Sequence, residues 1–223
     1  MNISRPVYLS WAAVFLFLIV ICSSHAMADD RLDALFGPKL YDIDNGETRV
    51  SFVTKMCTAD ILQGEFEKLS GQIYFDRENP ENSWAEVILD ATSLSFDKES
   101  HGDHHIKTIV EGEHLLKTAS FPKIKLKSTK IERTGIHTGL MTADMTLLGE
   151  THPITLEITF ENTMTDRYAK KVEEGKVVFS AYGTFKRSDW GILYALDRVG
   201  IRRINDEMQL FVSVTGILNE DQK

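Results

Sequence analysis

The sequence predicts an all-β protein: an antiparallel sheet of about eight strands, able to close into a barrel, with one short helical insertion. Three observations lead there. Apolar residues recur at every second position through most of the chain, the period of a strand with one buried and one wet face. The stretch Thr138 to Phe160, TGLMTADMTLLGETHPITLEITF, holds two such strands and the corner between them. Met141, Ala143, Met145 and Leu147 alternate with Thr142, Asp144 and Thr146, and Ile154, Leu156, Ile158 and Phe160 alternate with Thr155, Glu157 and Thr159. Gly149 to Pro153 is expected as the turn. Finally, the period fails over one long stretch, Thr92 to Ser120, where Ile106, Ile109 and Val110 fall at helical spacing.

The first 28 residues stand apart from the fold. Arg5 precedes an apolar run from Trp11 to Ile21, and Ala26-Met27-Ala28 places small residues at the two positions that a signal peptidase reads. Cleavage after Ala28 and export are expected, with periplasmic delivery or extracellular release set by the cell envelope. The uncharged core is shorter than the ~20 residues of a spanning helix, which argues against an uncleaved anchor. Cys22 is preceded by Ile21, where a lipoprotein signal needs a small side chain. Residues 29–39 read as a short charged lead with Leu32, Leu35 and Phe36 on one turn of helix, and residues 40–219 as a single barrel domain.

After a short leading segment, Leu40 to Asp44, the first full strand runs from Thr48 to Met56, with Val50, Phe52 and Met56 opposed to Arg49, Ser51 and Lys55. Gly64 to Asp76 reads as one long strand with Phe66, Gly71, Ile73 and Phe75 inward, its glycines allowing the sheet to bend sharply. Asn79-Pro80 marks a turn, and Trp84 to Ala91 carries Ala85, Val87 and Leu89 on one side. Beyond the helical excursion, Ile124 and Leu126 alternate with Lys123, Lys125 and Lys127, a lysine row that suits a solvated face guarded against edge pairing. The last two strands place Val177, Phe179, Ala181, Gly183 and Phe185 together, then Met208, Leu210, Val212 and Val214.

Composition narrows the function classes. The formal net charge is −8, and loss of the first 28 residues with their one charged group, Arg5, makes it −9. With no polybasic block, nucleic acid and anionic membrane surfaces are poor partners. Cys57 is the one cysteine left after cleavage, so the exported chain cannot form an internal disulfide. Its neighbour Lys55 does not make it a nucleophile, because no Cys-His-Asn or Ser-His-Asp pattern accompanies it. Asp60, Glu65, Glu67 and Asp76 read as solvated strand-end carboxylates and not as an acid-base pair.

Several ordered pieces, spread from about Tyr41 to Gly216, resemble the YceI-like family of exported polyisoprenoid-binding proteins. They are Tyr41-Asp42-Ile43-Asp44, Gly64-Glu65-Phe66, Gly71-Gln72-Ile73-Tyr74-Phe75-Asp76, Asp103 to Lys107, Phe121-Pro122, the LLGETHPITLE corner, and Lys186-Arg187-Ser188-Asp189-Trp190-Gly191-Ile192. The resemblance implies an extended, eight-stranded, lipocalin-like barrel whose lumen holds a long isoprenoid chain, with no catalytic step and no cofactor. Two departures stand out: Met56 occupies a position where many members carry histidine, and the stretch between His105 and Pro122 is longer than usual.

The methionine- and phenylalanine-rich inner stripe suits a packed core and a ligand wall about equally on pattern alone. The resemblance selects the wall, on which Phe52, Met56, Phe66, Met141, Met145, Phe179 and Leu210 are expected to contact a lipid tail, while His105 hydrogen-bonds the backbone or lines the barrel mouth and is counted with the ligand-binding residues. A rival reading takes His101, His104 and His105, spaced by three and four residues with Asp103 or Glu111 nearby, as a zinc site or the centre of an exported enzyme. No HExxH or paired-cysteine spacing supports it. A third reading is a filled barrel that acts through a protein partner. The oligomeric state is open, a homodimer included.

Overall fold

A computed structural model describes residues 37–56, 60–96, 103–161, 175–196 and 204–220. The expected signal peptide, Cys57 and His101 lie outside the described residues, as do the side chains of Asp60, Asp103, His104 and His105. The chain divides into two compact units, Met1–Pro38 and Lys39–Lys223, and the architecture below is that of the second. Its strands are β1 (Lys39–Ile43), β2 (Arg49–Met56), β3 (Asp60–Phe66), β4 (Leu69–Phe75), β5 (Trp84–Asp90), β6 (Leu94–Phe96), β7 (Lys123–Arg133), β8 (Thr138–Leu147), β9 (Glu150–Phe160), β10 (Lys176–Lys186) and β11 (Glu207–Leu218). Helix α1 (Asp103–Glu111) lies between β6 and β7.

Every strand pairing is antiparallel, and eight strands close a ring in the order β1-β4-β5-β7-β8-β9-β10-β11, with β11 returning to β1. The remaining three, β2, β3 and β6, extend the wall beyond the ring. β2 continues along the edge of β11 that β1 occupies, β3 pairs β2, and β6 pairs β3. Three long strands are thus broken at one level, giving β1/β2, β3/β4 and β5/β6. Side chains replace the missing ladder bonds at the breaks. Asn45 donates to Glu67 O (3.2 Å) and accepts from Leu69 N (2.6 Å), while Ser93 accepts from Glu67 N at its carbonyl (3.2 Å) and from Lys68 N at its hydroxyl (3.0 Å).

Among the described residues the all-β barrel with one α-helix is as the alternation predicts, but four details differ. The strand expected from Gly64 starts at Asp60 and is interrupted at Glu67 and Lys68. The stretch expected to lack strands contains β6, three residues long and too short to show a period. β7 runs on to Arg133 because a bulge between Ser128 and Lys130 shifts the register, so that Ile131, not Lys130, faces inward opposite Met141. The corner is also tighter than expected: Leu147 pairs with Glu150 around Leu148 and Gly149. Both turn residues have positive φ, 53° and 82°, the pattern of a two-residue hairpin turn. Pro153 therefore sits inside β9, opposite Asp144.

Asp76 corrects a further expectation. It is 7% exposed, not solvated, and its carboxylate accepts from Glu78 N (3.1 Å), Asn79 N (2.8 Å) and Asn82 Nδ2 (3.4 Å), so it organises the turn between β4 and β5. By contrast Lys123, Lys125 and Lys127 stand on the wet face, with Lys127 3.8 Å from Glu86.

Gly71 shows how closely the strands approach. A Cβ there would collide with the backbone carbonyl oxygen of Glu86 on the neighbouring strand β5, which no rotamer can relieve. Gly71→Ala is expected to lower stability by ~3 kcal/mol and the melting temperature by about 10 °C. Calorimetry of the two proteins checks this, and an unchanged melting temperature would remove the steric argument.

Candidate functional site

The inner faces enclose two apolar cavities in series, of about 130 Å³ and 110 Å³. Their order along the axis follows from the strands. Leu89, Met145, Leu147 and Phe185 line the first, while Ala85, Met141, Phe179 and Ala181, nearer the other ends of the same strands, line the second. Val50, Val87, Leu126 and Val212 belong to both walls and form the waist between them. The described residues of the walls present only apolar atoms to the space. An 11-residue strand such as β10 spans roughly 36 Å, and at the usual barrel tilt about 25–30 Å of that lies along the axis.

Of the residues expected to touch a lipid, Phe52, Phe66, Met145 and Leu210 face the first cavity, each less than a tenth exposed. Phe52 and Phe66 meet with ring centroids 6.1 Å apart, beside Phe96 at 6.3 Å. Met141 and half-buried Phe179 line the second cavity. There Phe75, Phe160 and Phe179 form an aromatic triad with centroids 5.1 to 5.2 Å apart. Met56 packs against the edge of the main core cluster and bridges to Ile204, but it lines neither cavity. His105 lies on the backbone of α1. Glu111, the acid suggested as a metal partner, pairs with Lys107 at 3.6 Å, and no metal-ligand cluster occurs among the described residues.

One end of the lumen is capped by groups that alternation could not reveal. Val110 from α1, Leu115 and Leu116 after it, Ile192 and Ile204 all reach the first cavity from helix or loop. The turn Arg187–Trp190 holds this cap in place. Trp190 is 3% exposed, donates from Nε1 to Met145 O (3.2 Å), and meets Phe185 edge to face at 5.3 Å.

Among the described residues Arg187 is the one charged side chain lining either cavity, and it is 3% exposed. Its Nε donates to Asn205 O (2.9 Å), Nη1 to Ile192 O (2.8 Å) and Nη2 to Ile204 O (3.0 Å), so the guanidinium clamps two loop segments. Burial pulls its pKa down and the nearby Asp206 carboxylate acts the other way; the group stays charged. Asp206 also accepts from Ser188 N (2.9 Å) and Ser188 Oγ (2.8 Å). The motif around Arg187 is legible as a sequence, but nothing in it tells that the cation is consumed by carbonyls.

Outside the cap lies a solvent-open polar groove of about 770 Å³ that includes Glu113, His114, His152 and Asp189. His114 stacks on Tyr194 at 5.3 Å and His152 meets Trp190 at 5.1 Å, so both imidazoles are packed against aromatic rings. Leu115 and Ile192 separate this groove from the lumen.

The fold and the interior define a closed antiparallel β-barrel with an elongated apolar lumen. The YceI-like domain matches residues 41–216, and the chain belongs to that family. A UPF0312 protein of Pseudomonas savastanoi pv. phaseolicola is 28% identical over 183 residues, covering 82% of this chain and 86% of the relative. Protein YceI of Escherichia coli O157:H7 is 28% identical over 156 residues, covering 70% and 74%. Among solved structures, Burkholderia cenocepacia BcnA has the same fold, with a TM-score of 0.60 at 21% identity over 78% of this chain and 98% of its own. A polyisoprenoid binding domain from Saccharophagus degradans, implicated in plant cell wall breakdown, gives a TM-score of 0.58 at 14% identity over 80% and 98%.

Proposed function

We propose that the protein is an exported carrier that holds a long isoprenoid, or a similar amphiphilic lipid, in the barrel lumen and moves it through the periplasm. The observation that carries the reading is the pair of apolar cavities joined at a waist, because two narrow spaces in series fit a thread-like chain and not a compact ring system. Each buried methylene contributes ~0.8 kcal/mol, so ten supply about 8 kcal/mol before the cost of association. The driving force is removal of apolar surface from water, with no bond made or broken. The polyisoprenoid-binding domain with the same fold supports this class of ligand, and the signal-like first 28 residues support export.

Native mass spectrometry of the mature protein purified without detergent, followed by organic extraction, tests the reading. A hydrocarbon-rich mass at one per chain is expected. A bare polypeptide that stays bare after incubation with polyprenyl lipids would overturn it. The same spectrum separates a monomer from a homodimer and would reveal retained zinc.

A further inference from the structure

The first cavity ends on a thin floor. Among the described residues Leu115 and Ile192 are the two that line both this cavity and the polar groove outside it, so each has apolar space on one side and Glu113, His114, His152 and Asp189 on the other. Leu115 is 7% exposed and Ile192 5%. Val110, Leu116 and Ile204 fill the floor around them.

Both halves of this floor are fixed. Ile192 N donates to Arg187 O (3.2 Å) and Ile192 O accepts from Arg187 Nη1 (2.8 Å), so Arg187 ties the residue at both its backbone groups. The other half winds onto the end of α1. Leu115 N donates to Gly112 O (3.1 Å), Leu116 N to Val110 O (2.9 Å) and Thr118 N to Glu111 O (3.0 Å). On the groove side His114 lies on Tyr194 with the ring planes 10° apart, which joins the two halves. A chain end that reaches the floor meets close-packed side chains on a hydrogen-bonded frame, and such a surface does not recede to make room.

The two faces of the floor reward a chain differently. Within the lumen each buried methylene strengthens binding about fourfold. A hydrocarbon laid across the groove would instead strip water from Glu113 and Asp189 without replacing its hydrogen bonds. We infer that Leu115 and Ile192 determine chain-length specificity: they stop an isoprenoid chain at the groove side and limit how many of its units the lumen buries. This rests on the lipid-carrier reading and adds length selection to it. The stop acts on whichever end of the ligand reaches it.

The test partitions prenyl alcohols of increasing length, from farnesol to solanesol, between delipidated mature protein and phosphatidylcholine vesicles. The bilayer takes up every unit, so the protein-to-vesicle ratio is expected to stay level while the lumen has room. It should then fall at least about tenfold for each further isoprene unit. Leu115→Ala cedes side-chain volume to the lumen and should raise the ratio of the first over-long alcohol about tenfold. Leu115→Trp thickens the floor and should lower the ratio of the longest alcohol that fits by a similar factor, about tenfold. If one variant fails to fold, the other reads the same floor in the opposite direction. A ratio level through solanesol, or the same length profile with and without the substitution, would overturn the floor as the length stop while leaving the carrier reading standing. Absence of every alcohol from the protein fraction would overturn the carrier reading and this inference with it.

Discussion

Met145→Asp is expected to abolish lipid retention, weakening the hold on a long isoprenoid by more than about 100-fold. Met145 is 5% exposed, lines the first cavity, and sits between Leu126 on β7 and His152 on β9. In an empty lumen water can solvate the new carboxylate. A bound chain expels that water and supplies no donor, so the desolvation cost falls on the complex, and ~3 kcal/mol there already exceeds 100-fold. Met145→Leu, which conserves volume, should stay within about threefold of the parent. Partitioning of a radiolabelled polyprenol between the protein and vesicles measures both. Should the charged variant fail to fold, Val212→Trp keeps the wall apolar but fills the waist. It should exclude long chains, and acceptance of a full-length chain by either variant would sink the lumen as the binding site.

Arg187→Met is expected to cost about 4 kcal/mol of stability, read as a shift of the urea midpoint at constant slope. The side chain is of similar reach and apolar, so the loss does not come from a cavity. It comes from three carbonyls, those of Ile192, Ile204 and Asn205, that lose their donors together in a buried site. Arg187→Lys keeps the charge but cannot span all three acceptors with a planar fork, and should recover less than half of the loss. A midpoint unchanged in the methionine variant would show that the clamp is dispensable. Retention of lipid should weaken alongside, because Ile192 and Ile204 form part of the cap.

The fold was legible wherever a strand keeps its period. β5, β8, β10 and β11 were readable in this way, and the inward residues Ala85 to Leu89, Met141 to Leu147, Val177 to Phe185 and Met208 to Val214 are those that alternation selects. What defeats the period is local irregularity. The bulge at Ser128 and Lys130 flips the phase of β7, and β6 has three residues. The cap was illegible for a different reason: Leu115, Ile192 and Ile204 reach the lumen from non-periodic segments, and only the closed ring brings them together. Thr54 shows a third case. It is polar, yet 3% exposed, because its hydroxyl donates to Glu207 O at 3.0 Å across the sheet. The expected lipid contacts fall on both cavities except Met56, whose strand end turns towards Ile204, and His105, whose side chain is outside the described residues.

The ring closes between its first and last members, with Tyr41 opposite Leu218. The hairpin of β8 and β9 can form from neighbours in sequence, but this final pairing joins residues separated by nearly the whole domain and must overcome a large loop-closure entropy. Until β11 is in place, β1, β2 and β10 lack a common partner, and the inner stripe is an open apolar face instead of a lumen. A ligand in the lumen can therefore be enclosed only by a finished chain. The nascent protein emerges empty, and for that interval its own phenylalanines and methionines are the surface that needs protection from water and from other chains.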